Sequence, residues 1–250
     1  MNDLINKVGG IFNTNNNGYL IITKYVNTKN VHIKFIKTGY EAVVRMSEIK
    51  KGTVKDRFLP SYCGVGFLGN ELTKINGNTL KEYMLWSAMI KRCYDTSYPE
   101  KNPTYKNCEV SENFKNYSYF KHWCSNQIGF NRKGWDLDKD LLIKGNKTYS
   151  EESCVFIPQE INVILNNGRR GREYPLGVGY DKRIKKFESR LCINGKQMRI
   201  GRFKTIDEAS DAYKKAKEEQ IKVVAQRWKG EIDERIYDIL MSYRVYLNNS

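Results

Sequence analysis

Positive charge is concentrated where this chain could grip a polyanion. Between Gly168 and Lys204 there are twelve lysines and arginines against three acids, a net of +9 out of the +15 carried by all 250 residues. A stretch this basic attracts phosphates, and nucleic acid is the usual polyanion for such a protein. Within it, Phe187, Ser189, Leu191 and Ile193 alternate with Glu188, Arg190, Cys192 and Asn194. That period of two puts Glu188 and Arg190 on the outward face of a strand. Met198, Ile200 and Phe203 continue the inner face, with Arg199 and Arg202 outward. Arginine on such a face can bind guanine through two parallel N–H groups, and lysine can hold phosphates.

Other chemistry is limited by composition. The six cysteines, at 63, 93, 108, 124, 154 and 192, lie at least 15 residues apart, so no paired-thiol zinc clip exists and no zinc is expected. Reduced thiols in a cytoplasmic protein are the expectation. Two histidines, His32 and His122, exclude a histidine cluster. His32 points away from the Val31, Ile33 and Phe35 face and reads as solvent-facing, and His122 sits beside an aromatic stripe and reads as a partly exposed structural histidine. Mean hydropathy is −0.65 and no apolar run approaches the roughly 18 residues of a membrane span. Neither a membrane partner nor a secretory leader is expected.

The elements that must carry these residues read as α+β. Residues 1–70 form a small β domain: Tyr19–Val26 is β-branched and aromatic, and Val31, Ile33 and Phe35 alternate with polar neighbours. A curled sheet or barrel of four to five strands is predicted, with a Gly- and Asn-rich linker at 61–78. Residues 79–166 begin with a helix whose face is Leu80, Tyr83, Trp86, Met89, Ile90 and Cys93. A second helix runs from Ser111 through Phe114, Tyr117, Phe120 and Trp123. Strands follow at Trp135–Ile143 and Ser153–Ile157, then a helix opened by Pro158. Residues 175–228 are three antiparallel strands and a helix. Asn194-Gly195 supplies a hairpin turn, and Thr205 with Glu208 a capping box. A last helix falls within 231–250.

Two segments carry resemblances. GVGYDKRIKKFESRLCINGKQMRIGRFKTIDEASDAYKKA at 177–216 resembles the APETALA-type (ethylene-response-factor) DNA-binding domain. The resemblance implies a three-stranded sheet laid in the major groove of double-stranded DNA. Its groove face would carry Tyr180, Lys182, Arg183, Lys185, Glu188, Arg190, Arg199 and Arg202. Tryptophans used by the plant proteins are absent here, so their base preference does not transfer. WSAMIKRCY at 86–94, YKNCEVSENF at 105–114 and LDKDLLIKGNKTYSEESCVFIPQEIN at 137–162 resemble phage HNH-type endonucleases, whose centre is a ββα-metal finger. The whole chain is similar to phage-encoded proteins that join the two modules.

The resemblance implies Mg²⁺ or another divalent cation held by Asp138 and Asn162. Lys139 stands where the family's base histidine would be, and Ser153 near the asparagine that orients it. Lys139 could hold the scissile phosphate, and Lys139→His would restore a base titrating near pH 6.5. The expected function is metal-dependent hydrolysis of phosphodiesters in DNA found by the C-terminal sheet. The alternative is a non-catalytic, sequence-specific DNA-binding regulator with a degenerate finger. RNA binding is less favoured, because surface aromatics on the basic sheet are few. Target sequence, strand number cut and oligomeric state stay open.

Overall fold

A computed structural model describes residues 8–166, 173–193 and 195–245. The chain forms two compact units, 1–124 with 147–150, and 125–146 with 151–250.

The first unit opens with a four-stranded antiparallel meander: β1 (Ile11–Asn13), β2 (Tyr19–Asn27), β3 (Asn30–Phe35) and β4 (Glu41–Val44). Alternation decides which face is buried. Leu20 and Ile22 of β2 and Val31, Ile33 and Phe35 of β3 are sealed against Met46 and Ile49 of α1 (Met46–Lys50). His32 faces the other way and pairs with Val43. The segment expected as a linker has structure of its own. β5 (Lys74–Ile75) and β6 (Asn78–Thr79) form a hairpin around Asn76 and Gly77, both at positive φ. Ser118 ties the preceding stretch down, donating to Leu68 O at 2.9 Å and accepting from Glu71 N at 2.9 Å.

α2 (Lys81–Tyr94) buries Trp86, Met89 and Ile90 at helical spacing, and the Trp86 indole donates to Phe114 O at 2.8 Å. Pro99 starts the short α3 (Tyr98–Lys101), and Pro103 a 3₁₀ turn at Pro103–Tyr105. β7 (Glu109–Val110) follows. The single helix expected from Ser111 is two, α4 (Glu112–Lys115) and α5 (Tyr117–Ser125). The break lies at Asn116, whose ψ is 111° and whose side chain accepts from Ser118 N at 2.9 Å. Asparagine competes with the helix for backbone hydrogen bonds in this way.

β8 (Trp135–Asp138) belongs to the second unit, whereas β9 (Thr148–Tyr149) returns to the first and pairs in parallel with β7. β8 pairs antiparallel with β10 (Val155–Pro158), which runs directly into α6 (Gln159–Leu165). The strand expected to reach Ile143 stops at Asp138. The Asp138 carboxylate accepts from Asp140 N at 2.9 Å and Leu141 N at 2.7 Å, closing a turn in place of the ladder. β10 begins at Val155, two residues later than expected, and is buried throughout.

β11 (Val178–Asp181), β12 (Lys186–Ile193) and β13 (Lys196–Phe203) form a three-stranded antiparallel sheet, followed by α7 (Ile206–Arg227). Gly195 has φ +75° at the β12–β13 turn, while Asn194 lies outside the described residues. The capping box is present: Thr205 Oγ1 accepts from Glu208 N at 3.2 Å, and Glu208 Oε2 accepts from Thr205 N at 3.3 Å. At its far end α7 meets the strand–strand–helix segment. The Trp228 indole donates to Glu160 Oε2 at 2.9 Å, Arg227 pairs with Glu160 Oε1, and Trp228 stacks edge-on against Trp135 at 5.7 Å. α8 (Glu234–Met241) packs against α7 and is capped by Asp233, which accepts from Arg235 N at 2.9 Å.

Gly177, just before β11, packs closely against Tyr213 of α7. Its φ is +78°, and a Cβ there would lie 2.0 Å from Tyr213 Cδ2. Gly177→Ala combines a left-handed backbone with overpacking, and should cost about 3 kcal/mol. Urea denaturation should show a lower midpoint at unchanged slope. An unchanged midpoint would mean that Tyr213 moves freely away from the sheet.

Candidate functional site

The register of the C-terminal sheet sorts its charged residues. Glu188 lies directly across from Arg202, and Arg190 across from Arg199, so all four share the face turned away from Ser189 and Leu191. Like charges facing each other on adjacent strands repel. Glu188 answers that repulsion. Arg202 Nε donates to Glu188 Oε1 at 2.9 Å, Arg190 Nε to Oε2 at 3.1 Å, and Arg199 Nε lies 3.5 Å from Oε1. The Glu188 side chain is 5% exposed, while those of Arg190 and Arg199 are 54% and 52% exposed. The bonds from Arg202 and Arg190 hold the Glu188 carboxyl below its ordinary range.

Glu188, expected as one of the residues touching DNA, is thus enclosed by the arginines that were to flank it. Its carboxylate fixes three guanidinium groups and presents nothing outward itself. Tyr180 differs more. It lies across from Phe187, with ring centroids 5.0 Å apart, on the opposite pleat face from Arg190 and Arg199. Lys182, Arg183 and Lys185 are exposed on the turn joining β11 to β12. Asp181 shapes that turn by accepting from Arg183 N at 3.0 Å, and Lys185 takes φ +53°.

A second cluster lies where β8, the loop after it and α6 meet. Asp138 and Asn162 line one cleft of about 580 Å³, joined by Asp140, Lys144, Tyr243 and Arg244. Burial pushes the Asp138 carboxyl above its ordinary value, against the two backbone N–H groups that favour its charged form. Asp138, Asp140 and Asn162 supply only oxygen donors, the set that a magnesium-like ion accepts with part of its water shell retained. Among the described residues no thiol or imidazole lines the cleft, a lining that does not suit zinc. Among the described residues no three histidine, cysteine or acidic side chains gather as a metal cluster. Asp138, Asp140 and Asn162 are the lining residues that could offer oxygen ligands to a cation.

Lys139 and Ser153 fall outside this lining. The Lys139 side chain is 7% exposed, and its ammonium pairs with Asp140 and donates to Asn146 O at 3.1 Å. Asn146 Nδ2 donates back to Lys139 O at 2.8 Å. The lysine closes the loop after β8. The imidazole of Lys139→His is too short to span the same two acceptors, so this change should weaken the loop. Ser153 is buried in the turn before β10. Tyr243, Arg244 and Lys144 had no sequence signal: they come from a loop and from the tail beyond a helix whose packing partner periodicity does not name. Among the described residues no helix is long and apolar enough to cross a membrane. Comparison with protein-family models, curated proteins and solved structures found no match.

A depressed carboxyl stabilises the fold above its unfolded pKa and loses that contribution as pH falls through the folded value. The Glu188 contribution should therefore be complete above about pH 4.3 and fade below it. Thermal melts from pH 7 to pH 3 should show wild type losing more stability on the acid limb than Glu188→Gln. Parallel curves for the two proteins would show that the arginine contacts contribute nothing to folding.

Proposed function

We propose that this chain binds double-stranded DNA through the arginine face of the β11–β13 sheet and hydrolyses phosphodiesters at the Asp138–Asn162 cleft. The observation that carries the reading is the cluster of Arg190, Arg199 and Arg202, half exposed on one sheet face and held in place by a buried carboxylate. Arginines fixed in this way have already lost much of their rotamer freedom, so less is lost on contact with a groove. The basic turn at Lys182, Arg183 and Lys185 adds phosphate contacts beside them. In the cleft, Asp138, Asp140 and Asn162 would hold a magnesium-like ion through oxygen atoms. When bound, such an ion supplies Lewis-acid stabilisation of charge on the leaving 3′ oxygen. The HNH-type resemblance of 137–162 agrees with that donor set.

A second reading, a DNA-binding regulator with a non-cutting finger, is favoured by one observation. Lys139, at the position of the family's base, is occupied with Asp140 and Asn146, and among the described residues no imidazole lines the cleft. Nicking of supercoiled plasmid separates the two. Hydrolysis predicts relaxed circles with Mg²⁺ or Mn²⁺, lost by at least a hundredfold in Asp138→Ala and Asn162→Ala, an order expected for loss of transition-state charge stabilisation. Intact plasmid with every divalent ion tested would leave the regulator.

The sheet has its own test. Arg190→Ala and Arg199→Ala should each cost about 1–3 kcal/mol on a preferred duplex selected from random sequence, and flatten discrimination. Lys185→Ala should weaken specific and random duplex alike and lower the salt slope by about one. Equal losses on both duplexes for all three variants would mean that the face grips only phosphates.

A further inference from the structure

The cleft is also lined from an element that neither resemblance reaches. Ile239 of α8 and Ser242, Tyr243 and Arg244 beyond it border the same space as Asp138 and Asn162. The tail is fixed at this point. Ser242 Oγ donates to Asp238 O at 2.8 Å and closes the helix. Val245 is buried, and its N–H donates to Glu218 Oε1 at 2.9 Å. The other Glu218 oxygen lies 3.3 Å from Arg244 Nη1. One carboxylate of α7 thus holds both the backbone and the guanidinium of the tail.

An ion pair as open as Arg244–Glu218, with the arginine side chain 61% exposed, adds little to stability. Its effect is to aim the arginine. The pair occupies one N–H among the five that a guanidinium carries. Lys144, on the loop after β8, brings a second cation to the lining. Oxygen donors for a hard cation and N–H donors for anionic oxygens in one cleft match a phosphate-bearing ligand, and on the DNA reading above that ligand is the phosphodiester backbone.

We propose that Arg244, positioned by Glu218, and Lys144 bind the phosphodiester in the Asp138–Asn162 cleft, so that the tail beyond α8 is part of the substrate site. This rests on the DNA reading above, and it is tested without turnover. Full-length protein is titrated by fluorescence anisotropy against a labelled 30-base-pair duplex in EDTA over a range of KCl. Arg244→Ala should weaken binding about fivefold at 0.15 M salt and lower the salt slope by about 0.9, the effect of one phosphate contact. Arg235→Ala makes the same charge change on α8 outside the cleft, and should leave the slope unchanged. Glu218→Gln removes a negative charge, which by bulk electrostatics tightens binding; positioning of Arg244 predicts weaker binding instead. If Arg244→Ala does not fold, Arg244→Gln is held to the same criterion. Identical slopes for the Arg244 and Arg235 variants, or tighter binding by Glu218→Gln, overturn the assignment. Wild type that binds but never nicks would overturn hydrolysis and leave this assignment standing, whereas wild type that fails to bind duplex would overturn both.

Discussion

Glu160 holds the second unit together. It is the second residue of α6, and its two carboxylate oxygens take the Trp228 indole and the Arg227 guanidinium from the end of α7. Trp228 in turn stacks on Trp135, the first residue of β8. A strand, a short helix and a long helix are thereby joined by one partly buried acid and two indoles. α7 ends at this anchor and carries the other elements along its length. Tyr213 seats the sheet through Gly177, Glu218 holds the tail, and α8 packs alongside. The arginine face and the cleft are therefore built on a common helix, although their residues lie more than a hundred positions apart.

The arginine face shows how a protein can concentrate positive charge without unfolding locally. Three guanidinium groups around one buried carboxylate leave a local excess of two charges. Each arginine keeps a large part of its surface in water, while its Nε is directed at Glu188. Lysine would serve poorly at these positions, because a point charge on a flexible stem cannot accept an orientation from one carboxylate and offer a planar edge elsewhere.

Much of this was legible from residue order, and the limits have identifiable causes. Val31, Ile33 and Phe35 announced a half-buried strand, because one buried face imposes strict alternation. The same rule separated Leu191 from Arg190, and Thr205 with Glu208 located the start of α7. Tyr180 enters the groove face through the family likeness alone, and the register sets it beside Phe187 instead of beside the arginines. Only the pairing with Phe187 reveals its side, since register is a property of two strands. The sequence leaves Lys139 open to hold a phosphate, and its donation to Asn146 O, seven residues away, is a tertiary contact that no local pattern shows. Strand ends were missed at Asp138 because a side chain replaced the next ladder bond. Arg244 was invisible for a different reason: a cleft assembled from residues over a hundred positions apart leaves no local pattern.

The interleaving of the two units constrains how the chain can be made. The first unit needs residues 147–150, and the second begins at 125, so the backbone crosses between units three times. Leaving the ribosome, the N-terminal meander can close on its own, because its core is complete by Val54. β7 must instead wait for β9, some 40 residues further on, and by then the first strand of the second unit has already emerged. The last part of the first unit and the start of the second are therefore synthesised as one interval. A stop within it would leave β7 without its parallel neighbour and β8 without β10, exposing two strand edges at once.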